Sequence, residues 1–391
     1  MNTRFTKIVL GCTIGAAALM GCQQIIKGED KSPAKLIKIA TPMTVLSPIF
    51  EASLEQSRGL TKGERVSKKD VIDLQVAQSG GVLIAVSRSG VVSAFDDKQS
   101  IWKLDLQEPV TSGVAIDEAG LVAVVGTRSG KVIALNVGTG EKLWETALPT
   151  STPTPALIHH DRVLLSANNG VLYGLNLRTG ENVWQFGTQK TDLSIRGVAK
   201  PLSLDEQTVL FGTADGRIHA LDSSTGSPLW TRRVGMATGG SVVERLSDVD
   251  GTPLVVGQHL YVTSFSGQIV GFDMATGQTM FVSDISSTRS ATVLGDVLVA
   301  VGISGDVKAF NRLTGETLWL NDELKNRKLT NPVAIGDYVA VGDYEGVIHL
   351  FDRNGSIVSR VQTKGQLTSL QVIDNRLYTQ STSGVVSIWQ F

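Results

Sequence analysis

The 391-residue chain has only two cysteines, Cys12 and Cys22, and none beyond them. Everything after residue 22 is therefore without a disulfide, a thiolate nucleophile or a cysteine metal site. Histidine is nearly as scarce, with five residues: His159 and His160 adjoin, while His219, His259 and His349 lie far apart. Neighbouring strand residues point to opposite faces, so the adjacent pair cannot chelate jointly. Neither sign of charge is in excess, at 36 basic and 37 acidic residues without a polybasic run. That balance leaves no electrostatic footprint for nucleic acid. The strings H-E-x-x-H, G-x-S-x-G and G-x-x-x-x-G-K-[ST] are all missing. Asp248-Val249-Asp250-Gly251 lacks the further oxygen ligands and late glutamate of a calcium loop. No catalytic, cofactor-binding or metal-ligating set is expected, and the chain is read as a non-enzyme.

Long apolar runs are also absent. Ile8 to Met20 is uncharged but falls short of the roughly 20 residues a spanning helix needs. With Arg4 and Lys7 before it, the stretch reads as a targeting signal over residues 1–21. It ends in Leu19-Met20-Gly21-Cys22, which resembles the bacterial lipobox and implies cleavage before Cys22, acylation of that residue and stable membrane anchoring. A plain secretory signal that happens to carry a cysteine is the alternative. By the sorting rule of such lipoproteins, Gln23 in place of aspartate favours the outer membrane, with the protein on its periplasmic face. Residues 22–46, including Lys27-Gly28-Glu29-Asp30-Lys31-Ser32-Pro33, read as a polar, flexible tether.

What the chain does have is a ruler. Gly90, Gly130, Gly170, Gly216, Gly267, Gly305, Gly346 and Gly384 each follow a small or polar turn, at spacings of 40, 40, 46, 51, 38, 41 and 38 residues. A period near forty filled with short β patterns indicates radially stacked four-stranded sheets. In Gly126 to Leu148, Val132-Ile133-Ala134-Leu135 is an apolar run suited to a strand buried on both faces. Asn136, and Asp96, Asn176, Asp222, Asp273, Asn311 and Asp352 in its place elsewhere, can start the next turn by bonding the backbone ahead. An aromatic then recurs at Trp102, Trp144, Trp184, Trp230, Phe281 and Trp319, where a large flat side chain can fill the wedge between tilted sheets. The last unit stops after three strands (Leu367 to Ile373, Arg376 to Thr382, Val385 to Phe391), which would leave an open edge. Pro48 to Leu54, ahead of a first inner strand over Val71 to Ala77, is the natural donor. The sequence thus predicts an all-β, eight-bladed propeller of four-stranded antiparallel blades over residues 47–391, closed by an N-terminal strand completing the last blade. A closed ring has no open sheet edge, so the chain is expected to be monomeric.

The two long spacings place extra residues in 187–200 and 231–251, where an outer strand crosses to the next inner strand. Two such connections in successive blades should emerge side by side on one face, together with the glycine turns. Leu193 and Ile195 are apolar residues in a polar surface insertion, and Arg196 adds a planar donor, a combination suited to a partner's pocket. Inward folding of Leu193 and Ile195 over the channel, or internal pairing of Arg196 with Asp248 or Asp250, would give the same sequence.

The repeat N/D-x-x-T-G-x-x-x-W resembles the tryptophan-docking repeats of pyrroloquinoline-quinone enzymes. Leu193-Ser194-Ile195-Arg196-Gly197, Arg245-Leu246-Ser247-Asp248-Val249-Asp250 with Thr252-Pro253, Leu329-Thr330-Asn331-Pro332-Val333 and Val341-Gly342-Asp343-Tyr344-Glu345-Gly346 resemble the BamB family, lipoproteins of the outer-membrane β-barrel assembly machinery. That resemblance implies a scaffold without cofactor that binds the periplasmic POTRA domains of the central subunit, BamA, within a larger complex. It also implies help in inserting nascent outer-membrane proteins. The partner-binding residues it implies are Leu193, Ile195, Arg196, Asp248 and Asp250. A quinoprotein dehydrogenase shares the repeat, but the vicinal disulfide frequent in that class is impossible here. A generic cell-envelope adaptor shares fold, anchor and compartment, and only the two loop strings speak against it.

Overall fold

A computed structural model describes residues 31–57, 73–96, 99–188, 199–235 and 246–391. The chain divides into two units, Met1–Ser32 and Pro33–Phe391, and the fold is that of the second. Its strands are β1 (Ser47–Ser53), then β2 (Ala77–Ser79), β3 (Val82–Val86), β4 (Val91–Phe95) and β5 (Ser100–Asp105) of the first blade. The second and third blades are β6 (Val110–Ile116), β7 (Val122–Thr127), β8 (Lys131–Asn136) and β9 (Lys142–Ala147), and β10 (Leu157–His159), β11 (Arg162–Ser166), β12 (Val171–Asn176) and β13 (Asn182–Gly187). The fourth and fifth are β14 (Leu202–Ser203), β15 (Thr208–Thr213), β16 (Arg217–Asp222) and β17 (Pro228–Arg233), and β18 (Leu254–Val256), β19 (His259–Thr263), β20 (Gln268–Asp273) and β21 (Thr279–Asp284). The sixth and seventh are β22 (Thr292–Leu294), β23 (Val297–Val301), β24 (Val307–Asn311) and β25 (Thr317–Asn321), and β26 (Val333–Ile335), β27 (Tyr338–Gly342), β28 (Val347–Phe351) and β29 (Ile357–Gln362). The eighth holds β30 (Leu367–Ile373), β31 (Arg376–Ser381) and β32 (Val385–Gln390).

All eight sheets are four-stranded and antiparallel, and seven follow chain order from inner to outer strand. The eighth runs β1-β32-β31-β30: the N-terminal strand pairs with the last strand, from Ser47 opposite Gln390 to Ser53 opposite Val385. The expected eight-bladed propeller and its closure are both present. Inner strands of successive blades lie against one another, as β2 with β6, β6 with β10, and β26 with β30. The first inner strand is shorter than the sequence suggests, beginning at Ala77, while Val71 lies outside the described residues.

The seams between blades follow one chemical rule. A small residue on the third strand faces the aromatic on the fourth: Ala94 opposite Trp102, Ala134 opposite Trp144, Gly174 opposite Trp184. A register shift follows immediately in each pair. The ring lies across the glycine of the next blade's turn, and its indole N–H reaches the carbonyl after that turn's Asx residue. These bonds run from Trp102 to Val137 at 2.7 Å, Trp144 to Leu177 at 2.8 Å, Trp184 to Ser223 at 3.1 Å and Trp319 to Arg353 at 2.9 Å. Phe281 has no N–H; there the Tyr261 hydroxyl donates to the Arg312 carbonyl at 2.9 Å instead. The Asx residues start their turns as expected, with Asn136 Oδ1 accepting from the Gly138 and Thr139 amides. Phe50 of β1 faces Ile388, the same register position, and its ring meets Phe95 of the first blade edge-on at 5.8 Å.

The seventh blade lacks the aromatic, for Ser359 faces Leu350 there. The N-terminal segment makes good the loss. Ser359 Oγ donates to the Met43 carbonyl at 2.7 Å, and Val45 and Leu46 join the apolar cluster of Ile335, Ile348, Leu350, Leu370 and Trp389. Further back, Leu36 and Ile39 pack with Leu324, Leu329, Phe351 and Trp319 between blades six and seven. The sequence placed residues 22–46 in a free tether. From Pro33 onward they belong to the folded unit, with Leu36, Ile39, Val45 and Leu46 packed into its seams.

Candidate functional site

Within an antiparallel blade, the turn joining second and third strands and the connection leaving the fourth lie at the same end. They are also bonded to each other: Leu148 N–H to the Gly130 carbonyl at 2.8 Å, Val234 to Gly216 at 2.8 Å and Ile285 to Gly267 at 2.9 Å. The long connections from β13 to β14 and from β17 to β18 thus leave from one face in consecutive blades. Leu193, Ile195 and Arg196 of the first connection lie outside the described residues. Its return is fixed where Ser166 Oγ donates to the Ala199 carbonyl at 2.7 Å. Burial pushes the ammonium of the following Lys200 down, opposed by the Asp73 carboxylate on the first blade.

The second connection re-enters as Leu246–Asp250, all five residues buried. The segment is threaded between two glycine turns. Val249 N–H donates to the Thr213 carbonyl at 3.2 Å, and the Asp248 carbonyl accepts from Phe265 N–H at 2.8 Å. Val249 joins Leu210, Ile218, Leu260 and Val262 in the core between blades four and five. Gly212 admits it, since a Cβ there would stand 2.5 Å from Val249 Cγ1. Asp248 is fully buried and Asp250 is 3% exposed, and neither is free. The sequence reading treated all five binding candidates alike. The two aspartates are buried at the foot of a surface connection.

A second charged cluster was not singled out from sequence. Arg327, on the connection into blade seven, bonds Asp343 Oδ2 through Nε at 2.7 Å, Glu345 through Nη2 and the Ala34 carbonyl through Nη1 at 2.8 Å. Asp343 also accepts from the His349 ring nitrogen Nε2 at 3.0 Å, while His349 Nδ1 lies 3.2 Å from Arg360 Nε. Arginine can only donate, so His349 Nδ1 is the acceptor and the ring is the neutral Nε2–H form. Burial holds the imidazole below its ordinary value despite the Asp343 carboxylate. Burial would raise the Asp343 carboxyl, but the His349, Val347 and Arg327 donors together bring it below the usual range. Arg360 Nη1 bonds the Ile37 carbonyl, so the cluster grips the N-terminal segment at two carbonyls. The signal was present in Val341 to Gly346, but its partner lies about 300 residues earlier in the chain.

On the opposite face a depression of about 690 Å³ is lined by Asp117, Glu118, His159, His160, Asp205 and Glu206. Its two aspartates serve their own turns. Asp117 Oδ1 takes the Leu121 and Val122 amides at 2.7 Å each, and Asp205 Oδ1 takes those of Gln207 and Thr208 at 2.9 and 2.8 Å. Among the described residues no group of three or more His, Cys, Asp or Glu side chains is arranged to hold a metal.

The family model described as outer membrane protein assembly factor BamB matches residues 88–304 and 303–391. The outer membrane protein assembly factor BamB of Shewanella oneidensis is 32% identical over 324 residues, covering 79% of this chain and 82% of that protein. The crystal structure of BamB from Moraxella catarrhalis superposes with a TM-score of 0.83 at 50% identity, covering 89% of this chain and all of that one. A quinohemoprotein alcohol dehydrogenase of Pseudomonas putida HK5 matches at a TM-score of 0.66 with 12% identity, a likeness of fold alone.

Proposed function

The chain belongs to the family of the outer membrane protein assembly factor BamB, and on that premise we propose that it is a non-enzymatic scaffold of the outer-membrane β-barrel assembly machinery. In this reading Cys22 carries the lipid after removal of residues 1–21 and holds the propeller on the periplasmic face of the outer membrane. The partner is the POTRA region of BamA, and the chain assists insertion of nascent outer-membrane proteins. The observation that carries the proposal is the pair of long connections leaving one face in consecutive blades, the second of them rooted in the buried Leu246–Asp250 segment. Leu193, Ile195 and Arg196 are assigned direct contact, and Asp248 and Asp250 the positioning of the neighbouring connection from within.

Co-purification with BamA, read beside thermal melting, tests the division. Arg196→Ala should weaken binding by at least about 30-fold, the scale of an interfacial arginine hot spot, with an unchanged melting temperature. Asp248→Ala should lose binding and also melt earlier, because a buried polar anchor is removed. Undiminished capture by Arg196→Ala would refute the contact assignment.

A further inference from the structure

The seam between the fourth and fifth blades breaks the docking rule. Trp230 faces Ala220 in the usual register, and the turn of the next blade offers Gly277 and the Met274 carbonyl as seat and acceptor. At the equivalent glycines Gly140, Gly180, Gly226 and Gly355 a tryptophan ring lies so close that an added Cβ would stand 2.4 to 2.5 Å from it. At Gly277 the neighbour is Arg232 Nη2, at 2.7 Å. Arg232 stands two residues after the tryptophan, where Thr146 and Ser283 bond the glycine carbonyl in other blades at 2.6 Å. It makes that bond through Nε at 3.3 Å, but its guanidinium then covers the glycine. Trp230 is held one layer out, its ring 5.4 Å from the Arg232 guanidinium carbon. It makes no bond to the Met274 carbonyl, and about 290 Å³ stays open among Leu204, Trp230, Leu260, Phe272 and Met274.

We propose that this seam is a binding site for an aromatic side chain bearing an N–H or O–H donor, a tryptophan or tyrosine of a partner polypeptide. The ligand class is read from the molecule itself. Four other seams show an indole seated against the same backbone with its N–H on the equivalent carbonyl, and a fifth shows phenyl and phenol sharing the task. The open seam keeps the acceptor and the apolar walls, and Arg232 adds a cation for a ring face. It opens toward the face of the Asp273–Gly277 turn, opposite the long connections, so it stands apart from the BamA assignment.

Fluoroindole, followed by fluorine NMR on the intact protein, probes the site. Saturable binding on the order of millimolar is expected, as suits a fragment of that size. N-acetyltryptophanamide should displace it, and N-methylindole, without a donor, should bind severalfold more weakly. Arg232→Thr and Arg232→Asn install residue types found at this position in other blades. They should let Trp230 fall onto Gly277, weaken the probe at least tenfold and raise the melting temperature. No saturable binding to the unmodified protein, no displacement by N-acetyltryptophanamide, or equal binding by both variants would each overturn the proposal.

Discussion

Replacing Phe50 with aspartate tests whether β1 closes the ring. Phe50 is half-buried and packs against a cluster that includes Leu54, Val76, Leu83, Phe95, Tyr378, Val386 and Ile388, side chains from both ends of the chain. Truncating a fully buried phenylalanine costs about 3–5 kcal/mol, so roughly 2 kcal/mol applies to a half-buried one. A carboxylate in the same apolar seam adds about 1–3 kcal/mol of desolvation. The expected loss of about 3–5 kcal/mol is a large part of the roughly 5–15 kcal/mol typical of a folded protein. Ile49, next door, is 47% exposed and stands at the register shift between Pro48 and Phe50. Ile49→Asp should therefore change stability by no more than about 0.5 kcal/mol. From the sequence the two positions look equivalent, and the bulge separates them. Urea unfolding of both variants is the assay, with a single transition at lower midpoint expected for Phe50→Asp. Equal midpoints, or a larger loss from Ile49→Asp, would show that β1 is not structural closure.

Two further expectations follow from the seams and the charged grip. Gly140→Ala combines a left-handed φ of 73° with a Cβ only 2.5 Å from the Trp102 ring, whereas Gly170, at φ 78°, has nothing within 4 Å. Both substitutions should destabilise, Gly170→Ala by about 1 kcal/mol and Gly140→Ala by more than about 2 kcal/mol, measured by thermal melting. His349 has a folded pKa below its ordinary value of 6.5, so the unfolded chain binds the extra proton first. Its contribution is intact above about pH 6.5 and falls as pH drops toward the lowered folded value. Melting temperature should decline between pH 7.5 and 5, less steeply in His349→Gln, and proteolysis within residues 33–46 should quicken over the same range. An identical pH slope in the variant would separate His349 from the effect.

Much of this architecture was legible because the repeat repeats its causes. All eight ruler glycines have the positive φ their turns require, from 78° to 103°, and a missing fourth strand pointed to its donor. The exceptions were harder. Trp230 reads like its five counterparts, but the Arg232 guanidinium stands over Gly277 where the ring would sit. Ser359 is visible as a missing aromatic, but its replacement by Met43, Val45 and Leu46 depends on a path no periodicity encodes. Asp248 and Asp250 look like surface charge because the string is polar. The whole segment is buried because it runs between two glycine turns belonging to different blades.

The pairing of β1 with β32 also sets an order of events. Ser47–Ser53 is made first and its mate Val385–Gln390 nearly last, so a chain emerging from its N-terminus must keep one strand waiting for almost its whole length. Blades one to seven can form from neighbouring residues, but the eighth requires the longest loop the chain can close, a slow step. Until then both ends of the arc present unpaired backbone, an invitation to other chains. Loss of the final six residues would make that interval permanent.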